Sequence, residues 1–260
     1  MTDDAPTPAP VTKPAKPAWL SGARAGYLAL GLSVIALGFS VAPYFSADGS
    51  DVRSYLLEHP EVLQETQLAL QAKEAEASVE ETNQAAAANA GLLAPDARDP
   101  AFGPANAKVT VVEFFDFRCP GCKAVAHDYR ALMAAHPEVR FVFKDWPILD
   151  RGDDITSQYA ARAALAAHQQ GKYLEVYDAL MTERALSIQS IDAILAANGV
   201  DMARAKAAIA SPDTTRHIAD IHTTAAALRL RGTPTFFING KASPGIDPAE
   251  IAKLIEAAKK

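Results

Sequence analysis

Two cysteines separated by two residues stand between a strand-like segment and a helix-like one. Residues 108–117 (KVTVVEFFDF) are β-branched and aromatic, which is typical of a strand buried on both faces. Cys119-Pro120-Gly121-Cys122 follows, then a segment of helical composition at 124–136 and a strand-like one at 138–148 (EVRFVFKDWPI). This order predicts a strand–helix–strand unit with CxxC at the turn, where the pair indicates a redox motif.

The position of Cys119 predicts an acidic thiol. Pro120 suits the first helical position, which puts Cys119 at or beside the helix N-cap. Free backbone N–H groups and the helix dipole favour the thiolate there, and we expect Arg118 and Lys123 to add positive charge. Cys122, one turn later and less exposed, is expected to resolve a mixed disulfide with Cys119.

Other interpretations of the cysteine pair remain open at this point. They are a structural disulfide closing a short loop, half of a metal site, Cu(I) capture by two thiolates, and a Cys–His hydrolase. The chain has only two cysteines, which excludes a disulfide-rich scaffold and an all-cysteine zinc site. Its formal net charge of -6 argues against a nucleic-acid partner.

Glu113 is a carboxylate within the apolar strand, six residues before Cys119. Strand alternation places it on the same face as Val111 and Phe115, where partial desolvation would raise its pKa. We expect it to relay a proton to or from Cys122. The alternative is a strand carboxylate paired with a lysine or a peptide N–H.

A second motif, RGTPTFFING, lies near the end of the chain. It predicts a strand over residues 235–238, opened by Pro234 and followed by an Asn239-Gly240 hairpin turn. If the bond before Pro234 is cis, the Thr233 backbone is free to pair with an extended substrate; an ordinary trans proline is the alternative. A last helix is expected from Pro248 to about Lys260, with Asp247 as its N-cap.

The outer domain is predicted to span residues 96–260, with a helical insert at about 153–227. Residues 48–95 form a predicted helical neck, in which Pro60 opens a second helix and Leu56, Leu63 and Leu70 recur every seven residues. This pattern suggests a homo-oligomer formed through residues 51–77. An amphipathic helix on its own domain, or a solvated linker, is the alternative.

The N-terminal part predicts export of everything that follows it. Residues 1–24 are rich in Pro and Ala and are expected to be a disordered cytoplasmic tail, while residues 25–47 carry no charge and are long enough for a transmembrane anchor. Positive residues precede this span and acidic ones follow it, which places the later residues outside the inner membrane. A cleaved signal peptide and a buried core helix are the alternatives.

The segments FFDFRCPGCK, RGTPTFFINGK and PGIDPAEIAKLIE together resemble the DsbA-type thiol:disulfide oxidoreductases, over roughly residues 97–260. The resemblance implies an α/β thioredoxin fold with an inserted helical subdomain. It also implies that Cys119 attacks, that Cys122 resolves, that Pro234 is cis and faces them, and that Glu113 is the buried acid. The segment VRSYLLEHPEVLQE is similar to the N-terminal segment of ScsC-like proteins, some of which oligomerise through it.

These observations predict thiol–disulfide exchange on exported proteins, in the periplasm, by a single-pass inner-membrane protein. Its substrates are protein thiols and disulfides, which bind at Thr233 and Pro234, and a membrane or periplasmic redox partner resets the pair. No metal or other cofactor is expected beyond the Cys119–Cys122 disulfide. Three functions remain: a dithiol oxidase, a reductively maintained isomerase or reductase, and a copper- or unfolded-protein-binding module that uses the thiols.

Overall fold

The structure is a computed structural model that describes residues 27, 30–37, 40 and 49–260. The predicted tail at 1–24 lies outside these residues, as does most of the predicted anchor at 25–47. Residues 27, 30–37 and 40 are helical. In the described part of the chain, no helix combines the length and the apolar character needed to cross a membrane.

The predicted neck is helical in the structure. Helix α1 (Gly49–Glu58) and helix α2 (Glu61–Ala88) are followed by a 3-10 turn (Ala90–Leu93). Pro60 lies between the two helices, directly before Glu61, and so next to its predicted place at the start of the second helix. The chain divides into two units at this helix, Met1–Leu68 and Ala69–Lys260.

Within residues 69–260, a five-stranded mixed sheet carries the redox motif. Its strands are β1 (Ala101–Phe102), β2 (Thr110–Phe115), β3 (Arg140–Asp145), β4 (Thr235–Ile238) and β5 (Lys241–Ala242), in the order β1-β3-β2-β4-β5. β2 and β3 are parallel and are joined by helix α3 (Pro120–Ala135). This is the predicted strand–helix–strand unit. β4 lies antiparallel to β2, which brings the second motif beside the first.

Both faces of β2 are buried, as its nearly continuous apolar sequence predicts. Val111 and Phe115 belong to the larger core, on the face covered by α3, while Val112 and Phe114 belong to a smaller core on the opposite face. On the larger face, Phe115 packs edge-on against Phe117 and other aromatic rings. The end of β2, directly before the cysteine turn, is therefore packed on both faces.

The predicted insert at 153–227 is helical between β3 and β4. It consists of α4 (Thr156–His168), α5 (Tyr173–Thr182), α6 (Ile188–Ala197), α7 (Met202–Ile209) and α8 (Pro212–Ala227). Side chains of Ser187, Asp201 and Ser211 cap three of these helices by accepting backbone hydrogen bonds. The insert contributes most of the larger core outside the sheet and α3.

The C-terminal elements follow local sequence signals closely. Asn239 and Gly240 have positive φ angles of 46° and 83° in the β4–β5 turn, a conformation that favours Asn and Gly. Helix α9 (Pro248–Lys259) begins after Asp247, whose side chain accepts a hydrogen bond from the Ala249 backbone N–H. The predicted N-cap and first helical residue of α9 are confirmed.

The structure differs from the predicted organisation at the end of the neck. Ala86 of α2 and Leu93 are buried in the smaller core, and Thr82 is 5% exposed. The Asn83 side chain accepts a hydrogen bond from the Ala242 backbone N–H at 2.8 Å, so that α2 covers the edge strand β5. The C-terminal half of α2 thus packs as part of the unit that carries the cysteines. That unit begins at Ala69, before the predicted boundary at 96.

Candidate active site

Cys119 occupies the N-cap of α3, with an extended backbone conformation, and Pro120 follows at the first helical turn. Its backbone N–H donates to the Asp116 carbonyl oxygen at 3.0 Å, and its carbonyl oxygen accepts from the Lys123 N–H at 3.0 Å. Cys119 is 9% exposed, whereas Cys122 is completely buried, and both are free thiols. Only Cys119 is therefore accessible to an incoming group.

Thr233 of the RGTPTFFING motif is in direct contact with Cys119. The Cys119 thiol donates to the Thr233 carbonyl oxygen at 3.1 Å, and the Thr233–Pro234 peptide bond is cis, as predicted. Gly121 permits this close approach, because a Cβ at that position would lie 3.3 Å from Pro234 Cδ. Residues 114 positions apart in the sequence thus form one surface.

Hydrogen bonds lower the pKa of Cys119 to about 5. The largest contribution comes from the Cys122 thiol, and smaller ones come from the Thr233 side chain and the backbone N–H groups of Cys122 and Gly121. Partial burial acts in the opposite direction. The bond to the Thr233 carbonyl belongs to the thiol form alone, since a thiolate has no proton to donate. Near neutral pH the accessible sulfur is accordingly a thiolate.

The pKa of Cys122 moves the other way. Burial raises it, and the hydrogen bond to Cys119 and the nearby Glu113 carboxyl raise it further. The two sulfurs, three positions apart, thus differ in acidity: the pKa of Cys119 is lowered and that of Cys122 is raised. This division suits thiol–disulfide exchange, in which one sulfur attacks and the other resolves.

Glu113 lies where alternation predicts, on the Cys122 face of the sheet, and its side chain is completely buried. Neither carboxyl oxygen has a hydrogen-bond partner, and the Tyr129 and Tyr177 hydroxyls are unpartnered as well. Burial, and then the charge of Asp145, raise the pKa of Glu113 well above its usual range. The alternative of a carboxylate paired with lysine or a peptide N–H does not occur here.

The structure does not place Arg118 and Lys123 as the sequence suggests. Arg118 pairs with Asp150 and Asp154, at 3.3 and 2.7 Å. The Lys123 ammonium donates to backbone carbonyl oxygens at the end of α5, those of Leu180, Met181 and Glu183. Both cations are engaged by these partners, and the expected electrostatic support for Cys119 comes from hydrogen bonds instead.

Asp116 is a site residue that the sequence analysis missed. It is 2% exposed, and its carboxylate accepts bonds from the Arg118, Ile148 and Leu149 backbone N–H groups and from the Ser157 hydroxyl. It ties the turn before Cys119 to the segment after β3 and to α4. Its sequence signal was an aspartate between two phenylalanines at the end of a buried strand.

No group of three or more His, Cys, Asp and Glu side chains suited to a metal ion occurs within the described residues. The predicted site residues Cys119, Cys122, Thr233 and Pro234 come together, with Glu113 behind Cys122. Whether each performs its predicted role stays a prediction.

Comparisons with known proteins match two parts of the chain to family models. Residues 96–257 match a family described as Thioredoxin, and residues 49–77 match the copper resistance protein ScsC N-terminal domain. The first match covers most of the chain and agrees with the predicted thioredoxin-like α/β fold.

Individual proteins agree with the family models. The chain is 30% identical over 156 residues to the thiol:disulfide interchange protein DsbA of Dickeya dadantii, covering 56% of this chain and 74% of that protein. A thioredoxin-like oxidoreductase structure from Silicibacter pomeroyi is 35% identical, with a TM-score of 0.58, and the match covers 63% of this chain and 94% of that one.

A further set of curated relatives is much longer than the matched region. The Na(+)/H(+) antiporter NhaA 3 of Salinispora tropica is 35% identical over 153 residues, which is 58% of this chain and 23% of that protein. The chain therefore spans about a quarter of the length of the first curated relatives that it matches. With the fold, the paired sulfurs and the two family matches in agreement, the chain belongs to the thioredoxin family, among the DsbA-type thiol:disulfide oxidoreductases, with a ScsC-like N-terminal segment.

Proposed function

We propose that the chain catalyses thiol–disulfide exchange on exported proteins through Cys119 and Cys122. The observation that carries the proposal is the opposite acidity of the two sulfurs. Hydrogen bonds lower the pKa of the accessible Cys119 to about 5, while burial raises the pKa of Cys122. Membership of the DsbA-type oxidoreductases supports the same chemistry.

In the oxidising direction, a substrate thiolate attacks Cys119 Sγ of the Cys119–Cys122 disulfide. The S–S bond breaks, a mixed disulfide forms at Cys119, and Cys122 leaves as a thiolate that takes up a proton. A second substrate thiolate then attacks the substrate sulfur of the mixed disulfide, and Cys119 leaves as a stable thiolate. The substrate loses two electrons and gains a disulfide, and the cysteine pair gains those electrons.

Glu113 supplies the proton that Cys122 needs in this scheme. Burial raises the pKa of Glu113 well above its usual range, which favours the protonated carboxyl, and Glu113 is close enough to Cys122 to raise the pKa of that thiol. The Thr233 backbone and Pro234 bind the substrate chain beside Cys119. The pair itself is the redox group in this proposal, and no resident cofactor takes part in the steps.

The redox potential of the pair tests the direction of exchange. A stabilised Cys119 thiolate favours the dithiol form and hence an oxidising disulfide. The redox potential of the pair should then be about -120 mV. A redox potential of about -270 mV would instead favour an isomerase or reductase that a partner keeps reduced. Trapping the oxidation state in cells by alkylation shows which form is maintained, and the Cys119→Ser variant should lose all exchange activity.

A copper-binding module is the second candidate. The N-terminal segment matches a domain described for a copper resistance protein, and two thiols within one helical turn suit Cu(I). This candidate predicts stoichiometric Cu(I) binding by the reduced protein and no turnover of disulfide substrates. Exchange activity without tight Cu(I) binding would exclude it.

The location and assembly of the protein are part of the same proposal. A single-pass anchor at 25–47 would hold the catalytic domain in the periplasm, where a membrane or periplasmic partner resets the pair. Self-association would use residues 51–77, in which apolar side chains are solvent-exposed; these are Val52, Tyr55, Leu57, Leu63, Leu68 and Leu70. Sedimentation of the full chain and of Leu63→Glu tests the assembly: a shift to monomer in the variant supports it, and a monomeric wild type refutes it.

A further inference from the structure

Helix α2 forms one wall of a groove beside the cysteines. The groove has a volume of about 250 Å³, and Ser78, Val79 and Thr82 of α2 line it on one side. Residues 230–236, which include Thr233 and Pro234, and residues 242–246 line the rest. All of these residues belong to the Ala69–Lys260 unit. The neck helix is therefore part of the surface around the predicted substrate-binding loop.

This wall is fixed in place by contacts on both sides of the groove. Glu81 accepts hydrogen bonds from Arg229 at 2.6 Å and from Arg231 at 2.8 Å, which ties α2 to the segment entering the Thr233–Pro234 loop. Asn83 binds the backbone of Ala242, and Thr82 is buried. A groove with attached walls is a preformed feature of the unit, and a ligand would not have to assemble it.

The groove is continuous with the accessible sulfur. Thr233 lines the groove, and its carbonyl oxygen lies 3.1 Å from Cys119 Sγ. Ile246 lines it too, and a Cβ placed on Gly121 would lie 3.8 Å from both Ile246 Cδ1 and Cys119 Sγ. A chain held by a disulfide at Cys119 would therefore have its neighbouring residues at the mouth of the groove.

We infer that helix α2, as one wall of this groove, helps to select the polypeptide segment next to the substrate cysteine. The occupant is an extended chain with an apolar side chain near its cysteine, because Val79, Leu230 and Ile246 supply apolar surface and the Thr233 backbone supplies polar contact. The carboxylate of Glu81 is already engaged by two arginines. This inference rests on the proposed exchange activity and adds a residue-level determinant of its substrate.

Filling the groove from the α2 side tests the inference. Ser78 is half-buried and lines the groove, whereas Gln84 is exposed on the same helix and does not line it. We compare Ser78→Trp with the matched control Gln84→Trp, using as substrates a short peptide with one cysteine flanked by leucines and the small thiol dithiothreitol. Ser78→Trp should lower the second-order rate constant for reduction of the oxidised Cys119–Cys122 pair by the peptide by roughly tenfold or more, the usual effect of losing an apolar subsite. Exchange with dithiothreitol, and both activities of Gln84→Trp, should stay at the wild-type level.

The other outcomes distinguish a failure of the groove assignment from a failure of the proposed function. Unchanged peptide kinetics in Ser78→Trp, or equal losses with the peptide and dithiothreitol, overturn the groove assignment while exchange activity stands. A wild-type protein that exchanges with neither substrate overturns the proposed function and the groove's role with it. Should thermal unfolding show that Ser78→Trp is not folded, Ser78→Leu fills the groove with a smaller side chain and is judged by the same criteria.

Discussion

The Lys123 ammonium nitrogen lies 2.7 Å from the carbonyl oxygen of Glu183, and thus the residue directly after the CxxC pair is attached to the end of α5. The Leu180 and Met181 carbonyl oxygens accept from the same ammonium group. A lysine at a helix C-terminus satisfies carbonyls that have no partner within the helix. Lys123 therefore holds the redox helix and the helical insert together.

Replacing Lys123 by methionine should destabilise the fold with little effect on Cys119. The variant keeps much of the apolar stem but leaves these carbonyl oxygens without their donor, at an expected cost of about 1–3 kcal/mol in the free energy of unfolding. Urea denaturation at neutral pH measures this cost, and Lys123→Arg is the control that keeps a donor. Equal stability of Lys123→Met and wild type would contradict the structural role.

The acidity of Cys119 should depend on a hydrogen bond from position 122. Alkylation of the wild-type dithiol should follow a titration with a midpoint at about 5. In Cys122→Ala the main donor is gone, so the midpoint should move up toward that of an ordinary thiol, about 8.5. Cys122→Ser retains a hydroxyl donor and should stay closer to the wild type. Identical midpoints for the alanine and serine variants would assign the acidity to the helix N-terminus instead.

Glu113 should make the fold less stable as the pH rises. Its folded pKa is raised by burial, so above its unfolded pKa of about 4.3 the folded state binds more protons than the unfolded state does. Stability therefore decreases with rising pH until Glu113 ionises in the folded state. Asp145, whose pKa burial raises to about 8, contributes with the same sign.

Glu113→Gln should remove its share of that pH dependence. Relative to wild type, the variant should gain stability as the pH rises from 5 to 8, by at most about 1.4 kcal/mol for each pH unit, because it has no carboxyl to ionise on unfolding. Denaturant unfolding at several pH values measures the difference. Exchange should become slower by about 10²-fold or more if Glu113 supplies the Cys122 proton. A variant with wild-type exchange rates would remove Glu113 from the mechanism.

The attachment of α2 to the sheet edge should depend on Asn83. Asn83→Ala removes the acceptor of the Ala242 N–H, which should cost about 1 kcal/mol and speed hydrogen exchange at that amide. Gln84→Ala, on the exposed side of the same helix, is the control. Unchanged protection at Ala242 would mean that α2 does not cover β5 in solution.

Local signals in the sequence carried much of the fold and the centre of the site. Asp247-Pro248 predicted the start of α9, and Asn239-Gly240 predicted the β4–β5 turn, because capping and turn geometry depend on adjacent residues. The CxxC pair identified the β2–α3 turn in the same way. In each case a few neighbouring side chains dictate the conformation.

Contacts between segments that are distant in the sequence could not be predicted from it. Arg118 and Lys123 were expected to support Cys119 because they are close in sequence, yet each is engaged by partners from other elements. The docking of α2 was predicted only as an alternative, an amphipathic helix on its own domain, for a similar reason. Both halves consist mostly of good helix formers, with Glu, Gln and Leu in the exposed half and Ala and Glu in the docked half. Helical composition alone does not show that Thr82, Asn83 and their neighbours meet the sheet.

The missing side chain at position 121 links two properties that an engineer would wish to adjust separately. Groups that stabilise the thiolate also set the redox potential of such a pair, so a change between the two cysteines should alter that potential. An added Cβ at this position would also lie only 3.3 Å from Pro234 Cδ, and 3.8 Å from Ile246 Cδ1 and from Cys119 Sγ. Variants at position 121 that are made to change the redox potential should therefore also be tested for substrate preference, because both properties would change together.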